Sequence, residues 1–158
     1  MKTIESSSNQ KIEDWILDFL SKPNEVFDNL PPCPFAKRAW LDGNVEVKEF
    51  VSFNDLRRDL RHWDKEVVIY LFQTNILPTC SDLEILSKSF NDQYPEFLFL
   101  EETPDLIEDV GGVIVNQGEL CMMIVQKRKE VEEAREELKK TGYYDNWTPE
   151  MKERIIDR

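Results

Sequence analysis

The sequence predicts an α/β protein, with a central mixed sheet flanked by helices and a helical amino-terminal extension. Three observations point there. Val67-Val68-Ile69-Tyr70-Leu71-Phe72 is a continuous apolar run rich in β-branched and aromatic residues, the mark of a strand covered on both faces. Phe97-Leu98-Phe99-Leu100 is a second run of the same kind. Around these runs apolar residues recur at three- and four-residue spacing, the period of helices that bury one stripe. The chain has 158 residues, 41% of them hydrophobic and 11% aromatic, which is material for one domain with its own core.

In chain order, Ile12, Trp15, Ile16, Phe19 and Leu20 define a helix over Asn9 to Ser21 that Ser8 or Asn9 can cap and Lys22-Pro23-Asn24 ends. Their face is too apolar to leave in water, so the helix is expected to dock on the domain. Pro31-Pro32-Cys33-Pro34 is a stiff approach to a short helix, with Pro34 at its first position. Val45, Val47 and Val51 then share a strand face. Ser52 caps a helix with the stripe Phe53, Leu56, Leu60 and Trp63. The strand Val67–Phe72 follows and is expected to be central, with parallel neighbours. Thr79 caps a helix with the stripe Leu83, Leu86 and Phe90, ended by Tyr94-Pro95. After the second buried strand, the acidic segment Glu101 to Asp109 reads as a solvated loop or short helix. Val113-Ile114-Val115 and Leu120 to Val125 flank Asn116-Gln117-Gly118-Glu119, a hairpin signal placing both strands in the main sheet. A long helix with Val131, Ala134 and Leu138 inward stops at Gly142, read as a left-handed cap, and Thr148-Pro149 starts a short terminal helix. The divisions are residues 1–43 for the extension, 44–142 for the domain and 143–158 for the terminal piece.

Twenty Lys and Arg against 32 Asp and Glu give a net charge of −12, which disfavours duplex nucleic acid and anionic membrane surfaces as partners. No apolar stretch is long enough to span a bilayer. The amino terminus has neither the apolar run of a secretory signal nor the basic character of a transit peptide, so a cytoplasmic protein is expected. Three cysteines and one histidine, without close metal-ligand spacing, imply neither a disulfide scaffold nor a zinc site, and no cofactor is expected.

The order from Val45 to Thr141 resembles the thioredoxin fold. In that family a central strand runs into a Cys-x-x-Cys turn at a helix start, as Val67–Phe72 here runs toward Leu77-Pro78-Thr79-Cys80. Leu83, Leu86, Phe90 and Tyr94 match the family's helix spacing after the second cysteine. Two departures strike at activity. Leu77 stands where the attacking cysteine belongs, and Val110 stands where the family has a cis-proline. The resemblance thus implies a thioredoxin-like domain stripped of dithiol chemistry. Separately, Cys33-Pro34-Phe35-Ala36 followed by Lys37-Arg38 resembles the one-cysteine glutaredoxin motif and a segment of an uncharacterised bacterial family.

Cys33 is the candidate reactive thiol, placed before a helix start near Lys37 and Arg38, where N–H groups and cations stabilise a thiolate. The bland alternative is a small hydrophobe in a packed turn. Cys80, beside Asp82, is a poorer nucleophile but a candidate resolving partner for Cys33, although their separation is expected to exceed bridging range. Cys121 reads as core. Arg57, Arg58 and Arg61, with His62, form the basic cluster, read either as a solvated face or as an anion site. Trp147 with Tyr143 and Tyr144 reads as packing, or else as an exposed patch. The expected function is a non-enzymatic binding or accessory protein whose partner is another protein. The alternative is a thiol-disulfide oxidoreductase or peroxide-reactive enzyme that uses Cys33 and Cys80.

Overall fold

The computed structural model describes residues 2–73 and 80–158, apart from the side chains of residues 2–7 and of Cys80. Its architecture is mixed α/β. Four strands form the main sheet: β1 (Val45–Glu49), β2 (Val67–Leu71), β3 (Phe97–Glu102) and β6 (Met122–Lys127), in the order β1-β2-β6-β3. β1 runs parallel to β2, while β6 is antiparallel to both β2 and β3. Two short strands, β4 (Asp109–Val110) and β5 (Val113–Ile114), pair only with each other.

This arrangement corrects two expectations. The strand β2 has one parallel and one antiparallel neighbour, because β6 lies between β2 and β3. The segments flanking Asn116-Gln117-Gly118-Glu119 do not form one hairpin in the sheet, since β5 belongs to the small sheet and β6 to the large one. The tighter signal lay a few residues earlier. Gly111 and Gly112 have φ of 59° and 93°, the two positive values a two-residue hairpin turn needs, and they join β4 to β5.

Alternation along β2 divides the core into two faces. Val68 and Tyr70 point to one, where α3 (Phe53–Arg61) and α4 (Cys80–Gln93) bury Leu56, Leu60, Leu83 and Phe90. Ile69 points to the other, with Met122, and meets Ile12 and Ile16 of the amino-terminal helix. That helix, α1 (Lys2–Asp14), starts well before Asn9 and ends in a wider π-type turn over Trp15–Leu20, where the Ser21 hydroxyl donates to the Ile16 carbonyl at 2.6 Å. Ser8 and Asn9, the residues expected to cap it, lie inside it, where each costs only a few tenths of a kcal/mol. Trp15 ties the helix to the small sheet through a 3.1 Å bond to the Val115 carbonyl.

A third cluster gathers Phe27, Val110, Tyr143 and Met151, with Trp147 and Ile155 packed against it. Its residues come from a 3₁₀ turn (Glu25–Phe27), the β4–β5 hairpin, the stretch after α5 (Arg128–Lys139), and α6 (Pro149–Met151), which continues as a π-type turn over Lys152–Ile156. Tyr143, Tyr144 and Trp147 are therefore packing residues. Thr148 caps α6 by accepting from the Met151 amide at 3.2 Å. The cap expected at Gly142 is different in kind: its φ is not positive, and a Cβ there would lie 2.9 Å from Asp145 Oδ2 and 3.0 Å from Asp28 Cγ, so those side chains would have to shift.

Both edges of the main sheet are open to pairing in principle, but β3 is sealed by side chains. Asn91 accepts from the Phe99 amide at 2.8 Å and donates to the Phe99 carbonyl at 2.9 Å. Arg128 donates to the Phe97 carbonyl at 3.2 Å, and Arg154 to the Glu101 carbonyl at 3.4 Å. These bonds replace the strand that would otherwise pair there.

Candidate functional site

The proline turn Pro31-Pro32-Cys33-Pro34 carries the candidate thiol. Cys33 is held by a 2.9 Å bond from its amide to the Leu20 carbonyl, and Tyr143 donates its hydroxyl to the Pro32 carbonyl. The helix α2 (Ala36–Leu41) begins two residues later than expected, because Pro34 and Phe35 belong to the turn. Burial pushes the Cys33 thiol above its ordinary pKa, outweighing the Phe35 and Ala36 amides that hydrogen-bond to it. The cations expected to activate it do not. Arg38 pairs with Glu66 at 2.9 Å and Asp42 at 3.5 Å, and Lys37 is exposed.

Cys80 begins α4, but its side chain and the segment Leu77-Pro78-Thr79 lie outside the described residues, as does the Cys33–Cys80 separation. Cys121 packs partly buried against the first core cluster, just before β6.

The basic cluster lies on α3 and is largely spent on its own chain. Arg57 donates to the Tyr94 hydroxyl at 3.2 Å and to Asn54 at 3.1 Å, and Arg58 pairs with Asp55 at 2.9 Å. Arg58 also lines a cavity of about 170 Å³ with His62 and Lys65, where Glu46, Asp59 and Asp64 supply three carboxylates. That balance does not favour an anion. Asp59 is itself engaged, accepting from Lys48 at 2.9 Å and from the Tyr70 hydroxyl at 2.8 Å. Burial and this carboxylate push the Tyr70 hydroxyl well above its ordinary pKa. Arg61 is exposed at the end of the helix.

The densest group of charges lies elsewhere, in the acidic segment expected to be solvated. Glu101 and Glu108 are buried, and Glu102 is half-buried. β3 runs two residues further than the apolar run, and its last turn of pleat carries Glu101 toward α4 and the terminal helix. There Glu101 accepts from the Ser87 hydroxyl, from both ends of the Arg158 guanidinium, and from Arg154 at 2.9 Å. Arg154 also reaches Glu108 at 3.3 Å. Burial alone would raise Glu101, but the bonds from Arg158 and Ser87 hold its carboxyl below the usual range. Glu102 behaves in the opposite way. Burial and the Glu108 carboxylate raise it well above the usual range, against one opposing bond from the Gln117 amide at 3.0 Å. Burial raises Glu108 as well, against the pull of the Arg154 guanidinium beside it. Composition gave no sign of this cluster, because its basic half lies fifty residues away in the terminal helix; the i,i+4 pair Arg154 and Arg158 was the one available signal.

No group of three or more His, Cys, Asp or Glu side chains among the described residues is arranged to hold a metal ion, and no described helix is long and apolar enough to cross a membrane. No protein-family model, no curated protein and no solved structure matches the chain.

Proposed function

We propose that this chain is a non-enzymatic binding or accessory protein, acting on another protein, without dithiol chemistry. The observation that carries the reading is the state of Cys33. A thiol that serves as a nucleophile at neutral pH needs its thiolate stabilised, whereas here burial raises the thiol, Arg38 is paired with Glu66 and Asp42, and Lys37 is exposed. The reading rests on the thiols and not on thioredoxin-like strand order, to which the sheet lends no support. A protein partner is supported by Val51 and Phe53, exposed apolar residues that follow the carboxyl end of the edge strand β1.

The alternative, an oxidoreductase or peroxide-reactive enzyme using Cys33 with Cys80 as resolving thiol, has one observation in its favour: two backbone amides hydrogen-bond to the Cys33 sulfur. An assay of turnover on a low-molecular-weight disulfide and on hydrogen peroxide separates the two. Our reading predicts rates for the wild-type protein equal to those of Cys33→Ser. Turnover lost in both Cys33→Ser and Cys80→Ser establishes the enzyme instead.

A further inference from the structure

One edge of the main sheet stays open. β1 has a single neighbour, β2, and runs parallel to it. The Asn44 carbonyl accepts from the Val67 amide at 3.1 Å and the Phe50 amide donates to the Leu71 carbonyl at 2.8 Å, so the even-numbered residues along β1 bond toward β2. Val45, Val47 and Glu49 therefore turn their N–H and C=O groups outward, and among the described residues those groups have no partner. The bonds from Asn91, Arg128 and Arg154 that close β3 have no counterpart there.

The outward groups restrict how a second β1 could pair with this edge. An antiparallel partner must set its own outward residues opposite these three, so the allowed registers lie two residues apart. With Val47 opposite Val47, Val45 meets Glu49, and Glu46 meets Lys48 twice, once on each side of the two-fold axis. Sliding by two residues sets Glu46 against Glu46 in one direction and Lys48 against Lys48 in the other. Opposite charges directly across an antiparallel pair attract, and like charges repel. The strand is complementary to itself in one register and repels itself in the two beside it.

Both charges stand where a second copy can reach them. Glu46 and Lys48 sit beside Val68 and Tyr70 on the α3 face. Glu46 is exposed, and the Lys48 side chain is 34% exposed while pairing with Asp59 at 2.9 Å. The same two-fold lays the end of β1 that carries the exposed Val51 beside the Gly43 end of the other copy, where a Cβ would meet nothing within 4 Å. Leu41, which ends α2 just before that turn, is exposed as well.

We propose that this chain forms a two-fold dimer in which β1 pairs antiparallel with β1 of a second copy, joining the two main sheets into one. Such an interface uses the same patch on both copies and closes on itself. Because the β3 edge is sealed, growth stops at two.

Sedimentation velocity over a range of concentrations measures the association, at about 0.15 M salt so that repulsion between the acidic copies is screened beyond about 8 Å. Glu46→Lys sets lysine against Lys48 at both sites, and Lys48→Glu sets glutamate against Glu46. Each variant alone should dimerise at least about tenfold more weakly than the wild type. An equimolar mixture of the two should form a mixed dimer, because both sites then pair opposite charges. A wild type still monomeric at about 1 mM overturns the proposal and leaves the open edge to a strand of another protein. A dimer of undiminished strength in Glu46→Lys overturns it too. Should Lys48→Glu not fold, because its carboxylate faces Asp59, hydrogen exchange of the wild type decides. The Val47 and Glu49 amides should exchange more slowly as concentration rises, and exchange at the same rate in monomer and dimer overturns the pairing. Neither outcome bears on Cys33.

Discussion

At Tyr143 a phenol is buried so that its hydroxyl can reach the Pro32 carbonyl, and the same burial pushes its pKa well above the ordinary value. Removing the hydroxyl leaves that carbonyl unpaired, so Tyr143→Phe should cost about 1–3 kcal/mol in denaturant unfolding. Gly142→Ala should also destabilise, by about 1–3 kcal/mol, because a methyl group must displace Asp145 or Asp28. Glu101 gives a prediction with a sign. Its folded pKa is lowered, so its contribution is present above the ordinary glutamate pKa and is lost as pH falls through the folded value. Glu101→Gln should therefore cost stability at neutral pH, about 3–5 kcal/mol, and should reduce the acid sensitivity of the melting temperature. Glu102, raised in the folded state, acts oppositely: the protein loses stability as pH rises from the ordinary glutamate value toward the folded one.

The strand β3 shows what an element requires beyond its own sequence. Phe97 to Leu100 announced a buried strand, but the strand's outer edge is closed by Asn91, Arg128 and Arg154, which no local pattern reveals. Asn91→Leu should strip the Phe99 amide and carbonyl of partners, lower the melting temperature and produce concentration-dependent light scattering from edge pairing. Elements set by periodicity were legible: the Ser52 cap accepts from the Asp55 amide at 3.2 Å, the stripe of Leu56 and Leu60 is buried, and Thr148 starts the terminal helix. Val51 was misread as a strand residue because alternation continues past the point where Phe50 bonds back to Leu71; it is 73% exposed. The β4–β5 hairpin was missed because two residues a side leave no alternation to read, although Gly111-Gly112 was visible.

Across the whole molecule, the strand order was the part least legible, since pairing of β6 with β3 depends on tertiary contacts that no spacing encodes. The candidate site divides the same way. Cys33 was identifiable by its motif, but its environment is assembled from Leu20, Tyr143 and the pairing of Arg38 with Glu66, residues spread over most of the chain. One face of the sheet is closed by the amino-terminal helix and the other by α3 and α4 from the middle of the chain. Ile16→Ala, which cuts into the face formed by Ile12, Ile69 and Met122, should cost about 2–5 kcal/mol in denaturant unfolding if the amino-terminal helix is integral to that core.

The proposed lack of dithiol chemistry is tested most directly by the pH dependence of Cys33 alkylation in the native protein, with the modified peptide quantified by mass spectrometry so that Cys80 and Cys121 do not contribute. The account predicts a rate that is low at neutral pH and whose midpoint lies above about 8.5, the ordinary thiol value. A midpoint below pH 7, with rapid alkylation at neutrality, contradicts it and makes Cys33 a working nucleophile.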